Sequence, residues 1–228
     1  MDQSERLAAD MAVSKLRPKN AYGCALQIQT GYTLFETERA SIASAIISRR
    51  DEFATGRAAA RKALSALGFG EPPIPRAADR RPIWPAGVVG TISHSGGIAS
   101  ALVAKQSEYA GIGLDIETAQ PLKPNLHQRV LTPSERHILS TSAQASGVPR
   151  CMLNFVVKEA FYKAVYPISR KYFGFQEVST IIKDDGTWSA DFDPPAIGLA
   201  ANLEVKNAKW WASSKYLIAV AAIVRSTE

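Results

Sequence analysis

The chain has 228 residues, 46% of them hydrophobic and 21% charged, so it has the composition of a globular protein with room for one compact unit or two small halves at about 150 residues per domain. Fibrous, disordered and large multidomain readings are excluded, no run approaches the roughly 18 apolar residues of a membrane helix, and Met1 to Lys19 is too charged for a signal peptide, so a cytoplasmic protein is expected. Of the net charge of +6, residues 1–110 carry +4, with 14 basic and 10 acidic side chains, and Arg49 to Arg81 alone, with 8 and 4, accounts for that excess, which points to an anion site rather than a diffuse nucleic-acid stripe.

In chain order, the segment 50–67 carries Phe53, Ala60, Leu64 and Leu67 on one face before Gly68, with Ser48 and Asp51 in a capping-box pattern, and is expected to be an amphipathic helix. Its other face holds Arg50, Arg57 and Arg61, either as solvated surface or as part of a site. Three β-rich runs follow, Val88–Ser93, Ile98–Ala104 and Gly111–Glu117, the first two joined by Ser95-Gly96-Gly97, and together they predict an antiparallel meander. Thr132-Pro133-Ser134-Glu135 starts a helix, and a second runs from about Arg150 to Tyr166 before Pro167. Strands return at Phe175–Lys183 and Thr187–Phe192 around Asp184-Asp185-Gly186, and Tyr216–Val224 is apolar enough for a buried closing strand. The order of elements gives an α+β fold.

Three constellations can carry chemistry. In Gly111-Ile112-Gly113-Leu114-Asp115-Ile116-Glu117 the strand period puts Asp115 and Glu117 on one face, and two adjacent carboxylates need a cation. Oxygen-only ligands suit Mg²⁺; the alternative is a solvated strand end. On the later helix, Glu159 and Lys163 have the spacing of an ordinary ion pair, while Lys158 and Glu159 lie in an apolar stretch where charges need partners. Third, Gly90-Thr91-Ile92-Ser93-His94-Ser95-Gly96-Gly97 runs a strand into a small-residue turn able to bind an anion. Ser93 and His94 point to opposite faces and do not form a nucleophile and base pair, whereas His127 and His137 read as surface residues. Cys24 and Cys151 have no CxxC spacing and encode neither a zinc site nor a disulfide framework.

SHSGG, GLDIE and FxxKEAxxK, in that order behind the arginine-rich RRDEFATGRAAARKAL and RPIWPAG, resemble the 4′-phosphopantetheinyl transferase superfamily, in its monomeric, pseudo-dimeric type of surfactin and enterobactin synthesis. The resemblance spans roughly Arg49 to Tyr166; Phe155 stands where many relatives have Trp, and Thr91 where many have Ser. It implies two similar α+β halves, 1–108 and 109–228, each with an antiparallel sheet and a long helix, meeting near residues 105–112 around the active site. It also implies transfer of the phosphopantetheine arm of coenzyme A to a serine of an acidic apo acyl- or peptidyl-carrier protein, with release of adenosine 3′,5′-bisphosphate. Asp115, Glu117 and Glu159 would hold Mg²⁺ against the coenzyme A pyrophosphate, and Lys158 would contact that pyrophosphate or the leaving phosphate. His94, Arg49 and Arg57 would meet the 3′-phosphate, with Ser93 lining the pocket and Arg76 and Arg80 in the loop before Trp84. Glu159 or a water on the metal would take the proton of the carrier serine.

Rival readings are another carboxylate-metal enzyme of phosphate hydrolysis, a basic nucleic-acid module using Arg49 to Arg81 with Trp84, and a coenzyme A-binding protein without turnover. No RNP, KH or zinc motif supports the second.

Overall fold

The computed structural model describes residues 3–141 and 147–226. Helix α1 (Gln3–Leu16) leads into strand β1 (Tyr22–Gln27), and the short α2 (Glu36–Ala40) precedes α3 (Ile47–Ala66). Strands β2 (Val88–Ser95) and β3 (Ile98–Lys105) turn through Gly96 and Gly97, whose φ values of 56° and 86° glycine adopts without steric cost. The chain continues with β4 (Gly111–Thr118), α4 (Pro124–Val130), α5 (Pro133–Thr141), α6 (Arg150–Ser169), β5 (Val178–Ile182), β6 (Trp188–Phe192), α7 (Pro194–Ile197), β7 (Leu203–Ala212) and β8 (Tyr216–Arg225).

The strands make two antiparallel sheets, ordered β1-β3-β2 and β4-β8-β7, and a separate β5-β6 hairpin. In each sheet the earliest strand pairs with the latest, and a 20-residue helix follows the earliest strand: α3 after β1 and α6 after β4. Helix α3 packs on β1 and β3, and α6 on the corresponding β4 and β8. The expected α+β arrangement of two similar halves is therefore present in the topology, although the two halves share no visible sequence repeat.

Several local expectations change. Strand β4 does not extend the β2-β3 meander, because the other side of β3 is taken by β1 from Tyr22↔Val103 to Gln27↔Ile98. It crosses at residues 106–110 into the second sheet and pairs with β8 from Gly111↔Ile223 to Thr118↔Tyr216. Helix α3 begins at Ile47 with no side-chain cap, so Ser48 lies inside its first turn and Asp51 just beyond it. Helix α6 continues past Pro167 to Ser169; the proline removes one N–H bond only in the last turn, and Arg170 then ends the helix in the left-handed conformation (φ 53°). The strand expected over 175–183 shrinks to β5, because Phe175–Glu177 forms a 3₁₀ turn. Residues 1–35, for which the sequence suggests no role, supply α1 and β1.

Helix α1 joins both sheets. Val13 and Leu16 share one buried cluster with Leu102 of β3, Leu114 and Ile116 of β4 and Ile218 of β8. A second core lies under α6 (Leu153, Val157, Phe161, Trp188, Leu217), and a third under α3 (Ala59, Ala63, Leu64, Ile74, Val103). Among the described residues no helix is long and apolar enough to cross a membrane.

Candidate functional site

Strands β2 and β4 face each other across the join between the sheets without pairing their backbones. The strand period sends Thr91, Ser93 and Ser95 toward β4, so hydroxyls bridge the gap. Thr91 Oγ1 accepts from the Leu114 N–H at 3.4 Å. Ser93 Oγ donates to Asp115 Oδ1 at 2.7 Å and accepts from the Ile116 N–H at 3.4 Å, and Ser95 Oγ donates to Glu117 Oε2 at 2.6 Å. His94 points the other way, as alternation requires, toward α3.

The glycines of β4 bring α6 unusually close. A Cβ on Gly113 would lie 1.9 Å from Ala160 O, and one on Gly111 2.2 Å from Ala164 O. With the two backbones in contact, Lys163 on the next turn reaches across: its Nζ donates to Asp115 Oδ1 at 2.5 Å and to Ser93 Oγ at 3.0 Å. Asp115 is only 2% exposed, so it is no solvated strand end, and its Oδ2 is buried without a hydrogen-bond partner. Burial raises the carboxyl of Glu159 above its ordinary value; Asp115 and Glu117 add to that and Lys163 opposes it, which places all three acids in one electrostatic cluster. Glu117 is likewise raised, mainly by burial, with its hydrogen bond from Ser95 acting the other way. Among the described residues no three acidic, histidine or cysteine side chains close into a metal cage by themselves.

On the α3 side lies a cavity of about 400 Å³ lined by Arg49, Arg57, Arg76, Arg80, Glu52 and His94. Arg49 Nη1 donates to His94 Nε2 at 2.6 Å and to Glu52 Oε2 at 2.9 Å. Burial lowers the His94 pKa; Glu52 works against this and Arg49 with it. Arg57 is buried, donates Nε to Ile74 O at 2.8 Å, lies over the Phe53 ring, and is lowered to about 10 chiefly by burial. Arg76 donates to Ser41 O at 2.7 Å. His94, Arg49, Arg57, Arg76 and Arg80 therefore meet in one place, whereas Ser93, expected to line the same pocket, turns to Asp115 on the opposite face of β2.

Arg61 is not part of that cavity, nor is it solvated. It pairs with the fully buried Glu38 (3.0 Å) and donates to Thr33 O at 2.7 Å, while Glu38 also accepts from the N–H groups of Ile74 (2.8 Å) and Phe35 (2.9 Å). Trp84 is half-buried and packs over Gly90, so Arg49 to Arg81 does not present the exposed basic and aromatic stripe that nucleic acid would need.

Lys158 departs from the pyrophosphate role expected for it. Consecutive helical residues lie about 100° apart, so Lys158 turns away from Glu159 and β4. Its three N–H bonds go to Val130 O (2.8 Å), Glu135 Oε2 (2.7 Å) and Phe175 O (2.9 Å), and it is 2% exposed. Glu135 also accepts from Thr132 N, as the capping pattern predicts, and from Thr180 N and Oγ1, each at 2.7 Å. This network closes one end of a second cavity, about 270 Å³, lined by Arg129, Glu159, Tyr162, Tyr172, Phe173 and Phe175.

Lys163 is the residue that sequence reasoning undervalued. Its spacing from Glu159 suggests an intrahelical pair, but no such bond forms and it bonds to Asp115 instead. The same i, i+4 spacing that puts it beside Glu159 also puts it on the face turned to β4, and that was the available signal. Ser95 could have been found by counting two residues on from Ser93.

Residues 37–104 match the 4′-phosphopantetheinyl transferase N-terminal domain, and residues 111–221 match the 4′-phosphopantetheinyl transferase superfamily. The 4′-phosphopantetheinyl transferase Svp of Streptomyces mobaraensis is 35% identical over 196 residues, covering 83% of this chain and 78% of Svp. The 4′-phosphopantetheinyl transferase PptT of Mycobacterium tuberculosis is 31% identical over 163 residues, 71% of each chain, and Npt of Nocardia iowensis is 37% identical over 149 residues, 64% of this chain and 65% of its own. With two sheets meeting at a carboxylate cluster beside a cavity of arginines, and relatives of this similarity, the chain belongs to the 4′-phosphopantetheinyl transferase superfamily and is an enzyme that transfers a 4′-phosphopantetheinyl group.

Proposed function

We propose that the donor is coenzyme A and the acceptor a serine hydroxyl of an apo acyl- or peptidyl-carrier protein of acidic surface, and that adenosine 3′,5′-bisphosphate leaves. The observation that supports this best is the meeting of Lys163, Asp115 and Ser93 between two cavities of opposite character. The arginine cavity, with His94, Arg49, Arg57 and Arg76, suits the 3′-phosphate end of the donor; the aromatic cavity beside Glu159 suits the apolar stretch of the pantetheine arm. The reacting phosphate then lies at the carboxylates between them. The halves 1–108 and 109–228 divide the work: the first grips the donor, and the second carries the reaction.

Mg²⁺ fits these residues. The donors are oxygens only, Asp115 Oδ2 is buried with no hydrogen bond, and Mg²⁺ takes few protein ligands when water and substrate phosphate complete its shell. Asp115, Glu117 and Glu159 would hold it, and it would neutralise charge on the pyrophosphate. Lys163 stands next to Asp115 and supplies a second positive charge for the leaving phosphate. Glu159, with its raised pKa, accepts the proton of the carrier serine. Lys158 holds the wall of the arm cavity. The enzyme acts as a monomer in the cytoplasm.

Intact-mass spectrometry of apo carrier proteins incubated with enzyme, coenzyme A and Mg²⁺ tests the proposal. One added phosphopantetheine, absent with chelator, is the expected result. Failure on fatty-acid, polyketide, nonribosomal-peptide and siderophore carriers alike would overturn it.

A further inference from the structure

The arginines of the donor cavity are carried partly by a small hairpin, residues 75–83, whose position depends on a contact with the other half of the molecule. Ile83 N donates to Pro75 O, and Ala77 N to Arg81 O, both at 2.9 Å, so the segment folds back on itself with Arg80 at its tip in the left-handed conformation (φ 71°). One side of the hairpin gives Arg76 and Arg80 to the cavity. The tip gives Asp79 to α6. Asp79 Oδ2 accepts from Tyr166 Oη at 3.3 Å, from Arg170 Nη1 at 3.3 Å and from Arg81 Nε at 3.1 Å.

Tyr166 lies on the face of α6 that carries Glu159 and Lys163, three residues on from Lys163, and Arg170 follows at the left-handed end of the helix. Tyr166 stacks on Tyr162 (centroids 5.3 Å apart, planes 17° apart), which lines the arm cavity. One helix face thus holds the acid and lysine, the wall of the arm cavity, and the fastening of the arginine hairpin.

We propose that Asp79 is a positioning residue that pins the arginine hairpin to α6 and so sets the grip on the 3′-phosphate end of coenzyme A. This deepens the reading of the arginine cavity given above and rests on it. Asp79 touches no substrate: as an anion it would repel the donor, and its position outside the cavity lining keeps it away. Its bonds are partly exposed, so removing them costs the fold little while releasing the hairpin. A released hairpin must be ordered again when donor binds, which weakens binding and leaves the bound complex able to react.

The test compares wild type with Asp79→Asn and Asp79→Glu, and with Arg170→Ala and the double variant Asp79→Asn/Arg170→Ala, using coenzyme A and 3′-dephospho-coenzyme A as donors. For Asp79→Asn we expect KM for coenzyme A to rise on the order of fivefold to tenfold, with kcat, KM for the carrier and melting temperature nearly unchanged. Asp79→Glu restores part of the affinity, the double variant is no worse than the worse single one, and the defect shrinks to within about twofold with the dephospho donor. An unchanged KM in Asp79→Asn, a loss confined to kcat, or an equal defect with both donors would overturn the proposal. If wild type transfers nothing to any carrier, the proposed function fails; if wild type is active and only the Asp79 pattern is missing, the pinning role alone fails.

Discussion

The two halves build the same frame and fill it with opposite chemistry. In each, a 20-residue helix covers a three-stranded antiparallel sheet, and in each a buried ion pair links that helix to a glutamate whose carboxylate also caps a short helix. Arg61 with Glu38 does this beside α3, and Lys158 with Glu135 beside α6. In both, the glutamate's remaining oxygen capacity goes to the N–H of a distant chain segment, Ile74 in one and Thr180 in the other. The halves differ in what faces the join. The first turns arginines and a histidine to it; the second turns three acids and Lys163. A frame used twice fixes geometry, and the residues at the join decide function.

The comparison can be broken at graded cost. Asp115→Ala has the largest expected effect: turnover falls by about 10⁴-fold or more, roughly 5.5 kcal/mol, while circular dichroism and melting stay near wild type. Wild-type turnover in that variant would remove Asp115 from the reaction. Next come the clasps. Lys158→Met and Arg61→Met should each lower stability by about 3–5 kcal/mol in urea titrations, because each leaves a buried carboxylate unpaired. Adding Glu135→Leu to Lys158→Met should recover most of that loss; a clasp in one half that tolerates the change would show that the halves are not equivalent. The glycines separate the halves more finely. Gly113→Ala meets a backbone carbonyl at 1.9 Å and should cost about 3 kcal/mol, whereas Gly56→Ala meets only the Ile92 Cγ2 methyl at 2.9 Å, gains helix propensity, and should stay within about 1 kcal/mol of wild type.

A smaller effect than those of Asp115, the clasps and Gly113 is expected at His94. Burial holds its pKa below the ordinary value, so the ring is neutral in the free enzyme at pH 7, and a phosphate beside it favours the imidazolium. Donor binding then takes up a proton, and affinity falls as pH rises from the lowered pKa of the free ring toward the raised one of the complex. His94→Ala should weaken coenzyme A by about tenfold, close to 1.4 kcal/mol, and flatten that pH dependence; calorimetry in buffers of different ionisation enthalpy reads both. Equal proton uptake by wild type and variant would take His94 out of the phosphate contact.

Much of this site is legible in residue spacing. The strand period predicts that Asp115 and Glu117 share a face and that Ser93 and His94 do not, and the structure has Ser93 on Asp115 and His94 on Arg49. The turn signals locate the β2-β3 and β5-β6 hairpins. What spacing does not carry is which edges meet. Strand β4 follows β3 in sequence yet pairs with β8, because β1, drawn from a segment with little pattern of its own, already lies along β3. Lys158 and Lys163 differ only in which side of α6 they occupy, and that side is fixed by Gly111 and Gly113, whose meaning depends on the helix pressed against them. Likewise Arg61 resembles its site neighbours in sequence and is assigned to the frame only by Glu38, 23 residues away.

The placement of β8 between β4 and β7 has a consequence for biogenesis. A ribosome making about 5–20 residues per second finishes β4 some 5–20 s before β8, so the strand bearing Asp115 and Glu117 waits with its hydrogen-bonding edges open. The first sheet closes soon after Lys105 is made, whereas the second closes only once the chain reaches Arg225. Nascent molecules therefore pass through a stage with a closed first sheet and an open second one, and that stage, with its bare apolar strand, is where chaperone binding or aggregation would draw on the newly made protein.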